Sequence, residues 1–191
     1  MKRQYEEALK HINNHGVIAF KTDTVMGLGV NGLDNIAVKN LFDIKGRSYD
    51  KPLYLLAYSI EQIYDYVYGV TEEALSLMEK HFPGALAIIL RSQKKLYTKP
   101  NEKGETLGVR IPNYPDLLDF LAFIKLPILN TSANISNSPP LLTKESVIQT
   151  FDDKVLYIEF EHDIEMLELP STVVDLTSGK PTIIRKGAVE I

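Results

Sequence analysis

The sequence predicts an α/β fold, a twisted sheet of mixed parallel and antiparallel strands flanked by helices, as one domain over residues 1–191. Three observations predict it. Apolar residues recur at helical spacing in several windows, short apolar runs bounded by Gly, Pro and Asn lie between them, and near the end strand-like runs follow one another directly. Alternation first and succession later is the pattern of a mixed sheet. The length suits a single buried core, and 45% hydrophobic with 24% charged residues is a globular composition.

Tyr5, Ala8, Leu9 and Ile12 fall on one helical face, so a helix is expected from about Arg3 to His15, closed by Gly16. Val17–Phe20 is a short strand that runs into Lys21-Thr22-Asp23-Thr24-Val25-Met26-Gly27-Leu28-Gly29, rich in hydroxyls and glycine and read as a loop. Asp34 is placed to cap a helix carrying Ile36, Val38, Leu41 and Phe42 and ending at Lys45-Gly46-Arg47. Pro52–Ala57 reads as a buried strand, with short helices around Ile60–Val67 and Thr71–His81 after it. Pro83-Gly84 turns the chain into a strand over Ala85–Leu90, Lys94–Glu105 is an exposed loop, and Leu107–Ile111 is a strand. A helix starts near Pro115 with Leu117, Leu118, Leu121 and Ile124 inward. Pro127–Leu129 is a strand, and Asn130–Pro140 has the composition of neither a helix nor a strand interior. A short helix over Thr143–Phe151 precedes strands at Val155–Phe160, Thr172–Leu176 and Thr182–Arg185.

The net charge of −4 and a pI near 5.6 argue against a surface that binds nucleic acid by charge alone, though a basic cleft is compatible with an acidic total. Zero cysteines exclude disulfides, thiolate metal sites and cysteine nucleophiles. No apolar run has signal-peptide or membrane-spanning character, which gives the expectation of a cytoplasmic protein with no membrane partner.

Several motifs compete for a function. Gly27-Leu28-Gly29-Val30-Asn31-Gly32 matches a dinucleotide fingerprint, yet six residues, 21–26, separate the clear end of the strand from Gly27 and the next strand ends without the ribose-binding acid. Ser178-Gly179-Lys180 is followed by proline, so it opens no phosphate-binding loop of the Walker kind. His11 and His15 have zinc-compatible spacing with no third ligand in view, and Glu159, Glu161, Asp163, Glu165 and Glu168 read as a solvated face. Lys45 and Arg47 flank a glycine; if the helix stops at Gly46 and the backbone extends, both point the same way and grip one anion. The plain alternative is a capped helix end followed by a solvated arginine. Ser132 and Asn134 end an apolar strand two residues apart, where both reach a phosphate oxygen or simply make a turn.

Taken together, Thr22-Asp23-Thr24 with Gly27-Leu28-Gly29, Lys45-Gly46-Arg47 with Pro52-Leu53, His81-Phe82-Pro83-Gly84, Gly108-Val109-Arg110-Ile111-Pro112, Ser132-Ala133-Asn134, and Ser171-Thr172-Val173-Val174-Asp175 leading to Ile184-Arg185-Lys186-Gly187 resemble the YrdC-like threonylcarbamoyl-AMP synthases in order and spacing. The resemblance spans about Val17 to Ile191. It implies a YrdC-like fold with a concave basic cavity, and an enzyme that makes threonylcarbamoyl-adenylate and pyrophosphate from L-threonine, bicarbonate or CO2, and ATP. A tRNA threonylcarbamoyl-transferase complex would be the downstream partner, with weak tRNA contact, and magnesium would arrive with ATP, held by no protein side chain. By the same resemblance Lys45, Arg47, Ser132 and Asn134 act on the triphosphate and reacting centre, Arg185 on nucleotide phosphate, and Thr22, Thr24 and Arg110 on threonine. Lys21, Met26, Ser48 and Leu56 depart from the family pattern, where proline, tyrosine, proline and histidine are usual. Leu56 is expected to cost a polar contact near threonine. The chain ends soon after Arg185 and resembles the single-domain form of the family. Rival readings are an RNA-binding module using a basic cleft and a carbamoyl-adenylate-forming enzyme.

Overall fold

The computed structural model describes residues 2–191. In chain order the elements are α1 (Lys2–Asn13), β1 (Ile18–Phe20), β2 (Gly27–Asn31), α2 (Asn35–Lys45), β3 (Tyr54–Leu56), α3 (Ile60–Tyr64), β4 (Val67–Tyr68), α4 (Glu72–His81), β5 (Leu86–Ser92), β6 (Tyr97–Lys99), β7 (Glu102–Lys103), β8 (Thr106–Arg110), α5 (Pro115–Ile124), β9 (Ile128–Ser132), α6 (Lys144–Phe151), β10 (Leu156–Ile158), β11 (Thr172–Asp175) and β12 (Thr182–Arg185). The main sheet runs β10-β1-β2-β9-β3-β8-β5-β11-β12, with β4 paired to β5. Pairs β1–β10, β3–β8 and β5–β11 are parallel, and the rest of the path is antiparallel. Among the described residues no helix is long and apolar enough to cross a membrane.

Local chemistry accounts for the helix ends. The Asp34 carboxylate accepts from the Ile36 and Ala37 amides and starts α2, Thr71 does the same for α4 through Ala74, and Thr143 with Ser146 forms a reciprocal cap on α6. In α5 proline takes the first position, where its missing N–H is not needed.

Alternation along the strands divides the core into two clusters on opposite faces of the sheet. Leu28, Val30, Leu55, Ile88, Val109 and Leu129 pack with α2, α4 and α6. Ile18, Phe20, Leu56, Ile128 and Ile158 pack with α1 and α5 through Tyr5, Ile12, Leu117 and Phe120. Fully burying each of the larger side chains contributes roughly 1.5–3 kcal/mol. Helices α1 and α5 cover only part of their face. The uncovered part is where the polar strand residues gather.

Three stretches differ from the sequence expectation. Gly27–Asn31 is a strand, because the Phe20 ring fills the space where side chains of Gly27 and Gly29 would stand: an added Cβ would lie 2.9 Å from it at Gly27 and 2.8 Å at Gly29. Those glycines sit inside an antiparallel pair, so they form no phosphate-binding turn. Asn130, Thr131 and Ser132 continue β9 even though their composition reads as loop, since polar side chains are tolerated on a strand that borders an open hollow. Residues 94–105 contain the β6–β7 hairpin and are tied to the body, with the Leu53 amide donating to the Thr98 carbonyl and the Tyr97 amide to the Gly32 carbonyl.

Candidate active site

At the end of α2 the chain stops as a glycine cap requires. Gly46 adopts φ 60° and ψ 38°, and the Arg47 amide reaches back 2.9 Å to the Phe42 carbonyl. No atom lies within 4 Å of where a Gly46 Cβ would be, so the backbone conformation alone demands glycine there. The turn sends the two cations to different places. Arg47 lines a cavity, whereas Lys45 is 2% exposed and lies beneath the cavity wall.

The Lys45 ammonium donates to the Ser132 carbonyl at 2.6 Å, the Asn134 carbonyl at 2.8 Å and Asn134 Oδ1 at 2.6 Å. Three acceptors match the three donors of a protonated amine. Asn134 also accepts from Ser132 Oγ at 2.7 Å and donates to the Ile135 and Ser138 carbonyls, so the Ser-Ala-Asn loop is folded around the lysine. Burial pulls the Lys45 pKa down to about 7, with repulsion from Arg47 and Lys51 adding to it. The expectation that Lys45 and Arg47 close directly on one anion from the same side is therefore corrected: the helix cap turns one outward, and three carbonyl-type oxygens draw the other inward.

Arg47 is held by neutral groups. Its Nε donates to the Lys51 carbonyl at 2.9 Å, NH2 to the Pro52 carbonyl at 3.0 Å and NH1 to Thr131 Oγ1 at 3.3 Å. Arg185 on β12 is held likewise, with Nε and NH2 both on the Ser171 carbonyl at 3.1 and 2.7 Å. Neither has a carboxylate among these partners.

Arg110, at the end of β8, is held differently. NH2 meets Asp23 Oδ1 at 2.5 Å with both side chains 8% exposed, NH1 donates to Thr24 Oγ1 at 2.9 Å, and Nε donates to the Gly84 carbonyl at 2.9 Å. Burial pulls the Arg110 pKa below the ordinary arginine value, and Asp23 opposes that pull. Thr22 organises the loop beneath: its hydroxyl donates to the Val25 carbonyl at 2.6 Å and accepts from the Thr24 and Val25 amides. A strap of chain between β10 and β11 fixes the same loop from outside, with the Leu167 and Glu168 amides each 3.0 Å from the Asp23 and Thr24 carbonyls.

These groups surround a cavity of about 540 Å³ on the part of the sheet face that α1 and α5 leave open. Thr22, Thr24, Arg47, Arg110, Ser132, Asn134 and Arg185 line it, and Lys45 does not. Register explains the convergence. Gly29, Asn130, Tyr54 and Gly108 are consecutive cross-strand partners, and Val173 stands opposite both Ala87 and Arg185, so the register carries Asn130, Tyr54, Ala87 and Arg185 into one row across the sheet. Asp50, Lys51 and Tyr54 line the cavity too and were not singled out from sequence. Tyr54 had a signal, since it stands in the strand run Pro52–Ala57 directly opposite Gly108. Asp23 sat unassigned between the two threonines.

Of the departures from the family pattern, Met26 is buried on the lining, where its Sδ receives the Tyr157 hydroxyl at 3.9 Å. Leu56 is fully buried in the α1/α5 cluster and is not itself a lining residue, but it is the cross-strand partner of Arg110 and brings no polar group to that side of the sheet. His11 Nε2 lies 3.0 Å from the Val17 carbonyl and His15 pairs with Asp34 at 2.6 Å, so the two histidines face separate partners.

A family model for Sua5, YciO and YrdC proteins, described as "Telomere recombination", matches residues 10–187. The chain is 33% identical over 175 residues to the threonylcarbamoyl-AMP synthase of Pyrococcus abyssi, covering 92% of this chain and 51% of that protein. It is 32% identical over 187 residues to the threonylcarbamoyl-AMP synthase of Bacillus subtilis, covering 97% and 54%. The chain thus spans about half the length of these curated relatives. The crystal structure of P. abyssi Sua5 complexed with L-threonine superposes with a TM-score of 0.85 at 33% identity, over 96% of this chain and 54% of that one.

Proposed function

The chain belongs to the Sua5/YciO/YrdC family, and on that premise we propose that it forms threonylcarbamoyl-adenylate from L-threonine, bicarbonate or CO2, and ATP, releasing pyrophosphate. The observation that carries this is the meeting of Arg47, Arg110, Arg185, Ser132 and Thr24 around one cavity. In the reaction the threonine nitrogen bonds to the carbon of CO2 and gives up a proton. A carbamate oxygen then attacks the α-phosphorus, and the bond to the bridging oxygen breaks to release pyrophosphate. No protein nucleophile is needed; the demand is to hold anions together and stabilise the leaving charge.

Each residue has a place in that scheme. Arg110 keeps one N–H free on each terminal nitrogen after its bonds to Thr24 and Asp23, a two-pronged donor for the threonine carboxylate. Thr24 and Thr22 border the amino acid. Arg47 and Arg185, hydrogen-bonded to neutral oxygens, direct their charge at the triphosphate, with Asp50 on the same wall as the nearby acid felt by Arg47. Ser132 stands at the reacting centre with its hydroxyl proton directed to Asn134 Oδ1, and Asn134 holds Lys45 as a buried positive charge below it. ATP enters with its magnesium as substrate, the ion being held by phosphates and water; the lining, with hydroxyls, amides and Asp50, suits that arrangement. The downstream partner is a transferase complex that places the threonylcarbamoyl group on tRNA, with weak tRNA contact here and a cytoplasmic setting.

Pyrophosphate release by the purified chain tests this. Release that requires both threonine and bicarbonate is the expected result. Turnover without threonine, or turnover supported by carbamoyl phosphate instead, would overturn it. So would tight, steeply salt-dependent tRNA binding by a chain that does not consume ATP.

A further inference from the structure

Tyr54 is the lining residue that the scheme above leaves without a task. Its ring lies flat against the backbone of β8: a Cβ added at Gly108 would come within 2.0 Å of Cδ1 and 2.3 Å of Cε1, so the tyrosine occupies the space a side chain there would fill. On the other side of β3 the cross-strand partner of Tyr54 is Asn130. Ring position is thereby fixed by main chain. The hydroxyl has no hydrogen-bond partner among the described residues, and Tyr54 is part of the cavity wall.

The surroundings of that hydroxyl are cationic. Arg47 is anchored to the carbonyls of Lys51 and Pro52, the residues that lead into β3, and Arg185 to the carbonyl of Ser171. Burial pushes the Tyr54 phenol up, while Arg185 and then Arg47 pull it back, so both guanidinium charges are felt at the phenol oxygen. A neutral O–H that makes no hydrogen bond of its own and shares a cavity with two guanidinium groups has a proton left to donate. An anionic oxygen delivered between the two arginines supplies the acceptor.

We propose that the Tyr54 hydroxyl donates a hydrogen bond to a polyphosphate oxygen that Arg47 and Arg185 hold by charge, making Tyr54 a residue that positions the nucleotide. This rests on the nucleotide reading of the cavity. The test is equilibrium binding of ATP and of inorganic triphosphate to the full chain, wild type against Tyr54→Phe, with thermal melting alongside. Phenylalanine keeps the ring over Gly108, so the melting temperature is expected to hold while affinity for both probes falls about tenfold, the loss of one hydrogen bond to a charged acceptor. The KM for threonine is expected to stay unchanged in turnover assays. Tyr54→Phe binding triphosphate as tightly as wild type would overturn the proposal, as would a change confined to the KM for threonine. If wild-type turnover proves independent of threonine, the functional reading falls while the binding comparison still decides the role of Tyr54. Absence of binding of both ATP and triphosphate by the wild type would overturn both.

Discussion

Two arginines of one cavity are held in opposite ways. Arg110 is buried against the Asp23 carboxylate, so most of its charge is matched before any ligand arrives. Arg47 is fastened by two carbonyls and a hydroxyl, and its charge is not matched by those bonds. The difference separates two kinds of recognition. A compensated guanidinium contributes shape, a fixed pair of donors suited to a single carboxylate. An uncompensated one contributes field, suited to a polyanion.

The comparison can be broken most severely at Asp23. Asp23→Ala leaves Arg110 charged and buried without its partner, and a loss of about 3–5 kcal/mol in unfolding free energy is expected by denaturant titration. An unchanged midpoint would mean that Arg110 does not depend on the pair. Arg47→Ala should act on chemistry rather than stability: pyrophosphate release is expected to fall by roughly 10²–10³ with little change in melting temperature, as for loss of a donor aimed at developing charge. A drop in melting temperature of the size seen for Asp23→Ala would erase the distinction between the two arginines.

A third test uses pH. Lys45 has its pKa lowered to about 7 in the folded chain from an ordinary value of 10.5. Between those values the unfolded chain binds more protons than the folded one, so the contribution of this group to stability is fully present above pH 10.5 and is lost as pH falls to about 7. A bound polyanion favours the charged lysine, so ATP binding should take up a proton and weaken by up to about tenfold per unit as pH rises above 7. Calorimetry in buffers of different ionisation enthalpy measures that uptake, and Lys45→Met should abolish it. The smallest effect is expected at Gly46→Ala. With nothing near the new methyl, only the left-handed backbone is penalised, by about 1–2 kcal/mol in a melting experiment.

Much of this arrangement was legible in the sequence because short motifs carry local chemistry. Lys-Gly-Arg announces a helix stop beside two cations, and Gly46 does adopt the cap conformation. What the motif does not carry is direction: the seat that draws Lys45 inward is built by residues 132–134, which only the fold brings near. Strand β2 was missed because glycine normally disfavours strands, and the compensating Phe20 ring lies on a different strand. The polar end of β9 was read as loop because composition does not say which face of a sheet is left open. At Leu56 the resemblance marks a missing polar group, and the fold adds that the leucine packs under α1 and α5 while standing opposite Arg110. Tyr54 passed as one more apolar-strand residue until Gly108 appeared opposite.

The floor beneath the arginines is made of what is missing. Gly27 and Ala87 present little or no side chain to the hollow, so this part of its lower surface is peptide backbone locked in sheet hydrogen bonds. Such a surface has no rotamers to reshuffle. A molecule that meets this patch finds a contour set when the chain folded, and spends no affinity there on ordering side chains.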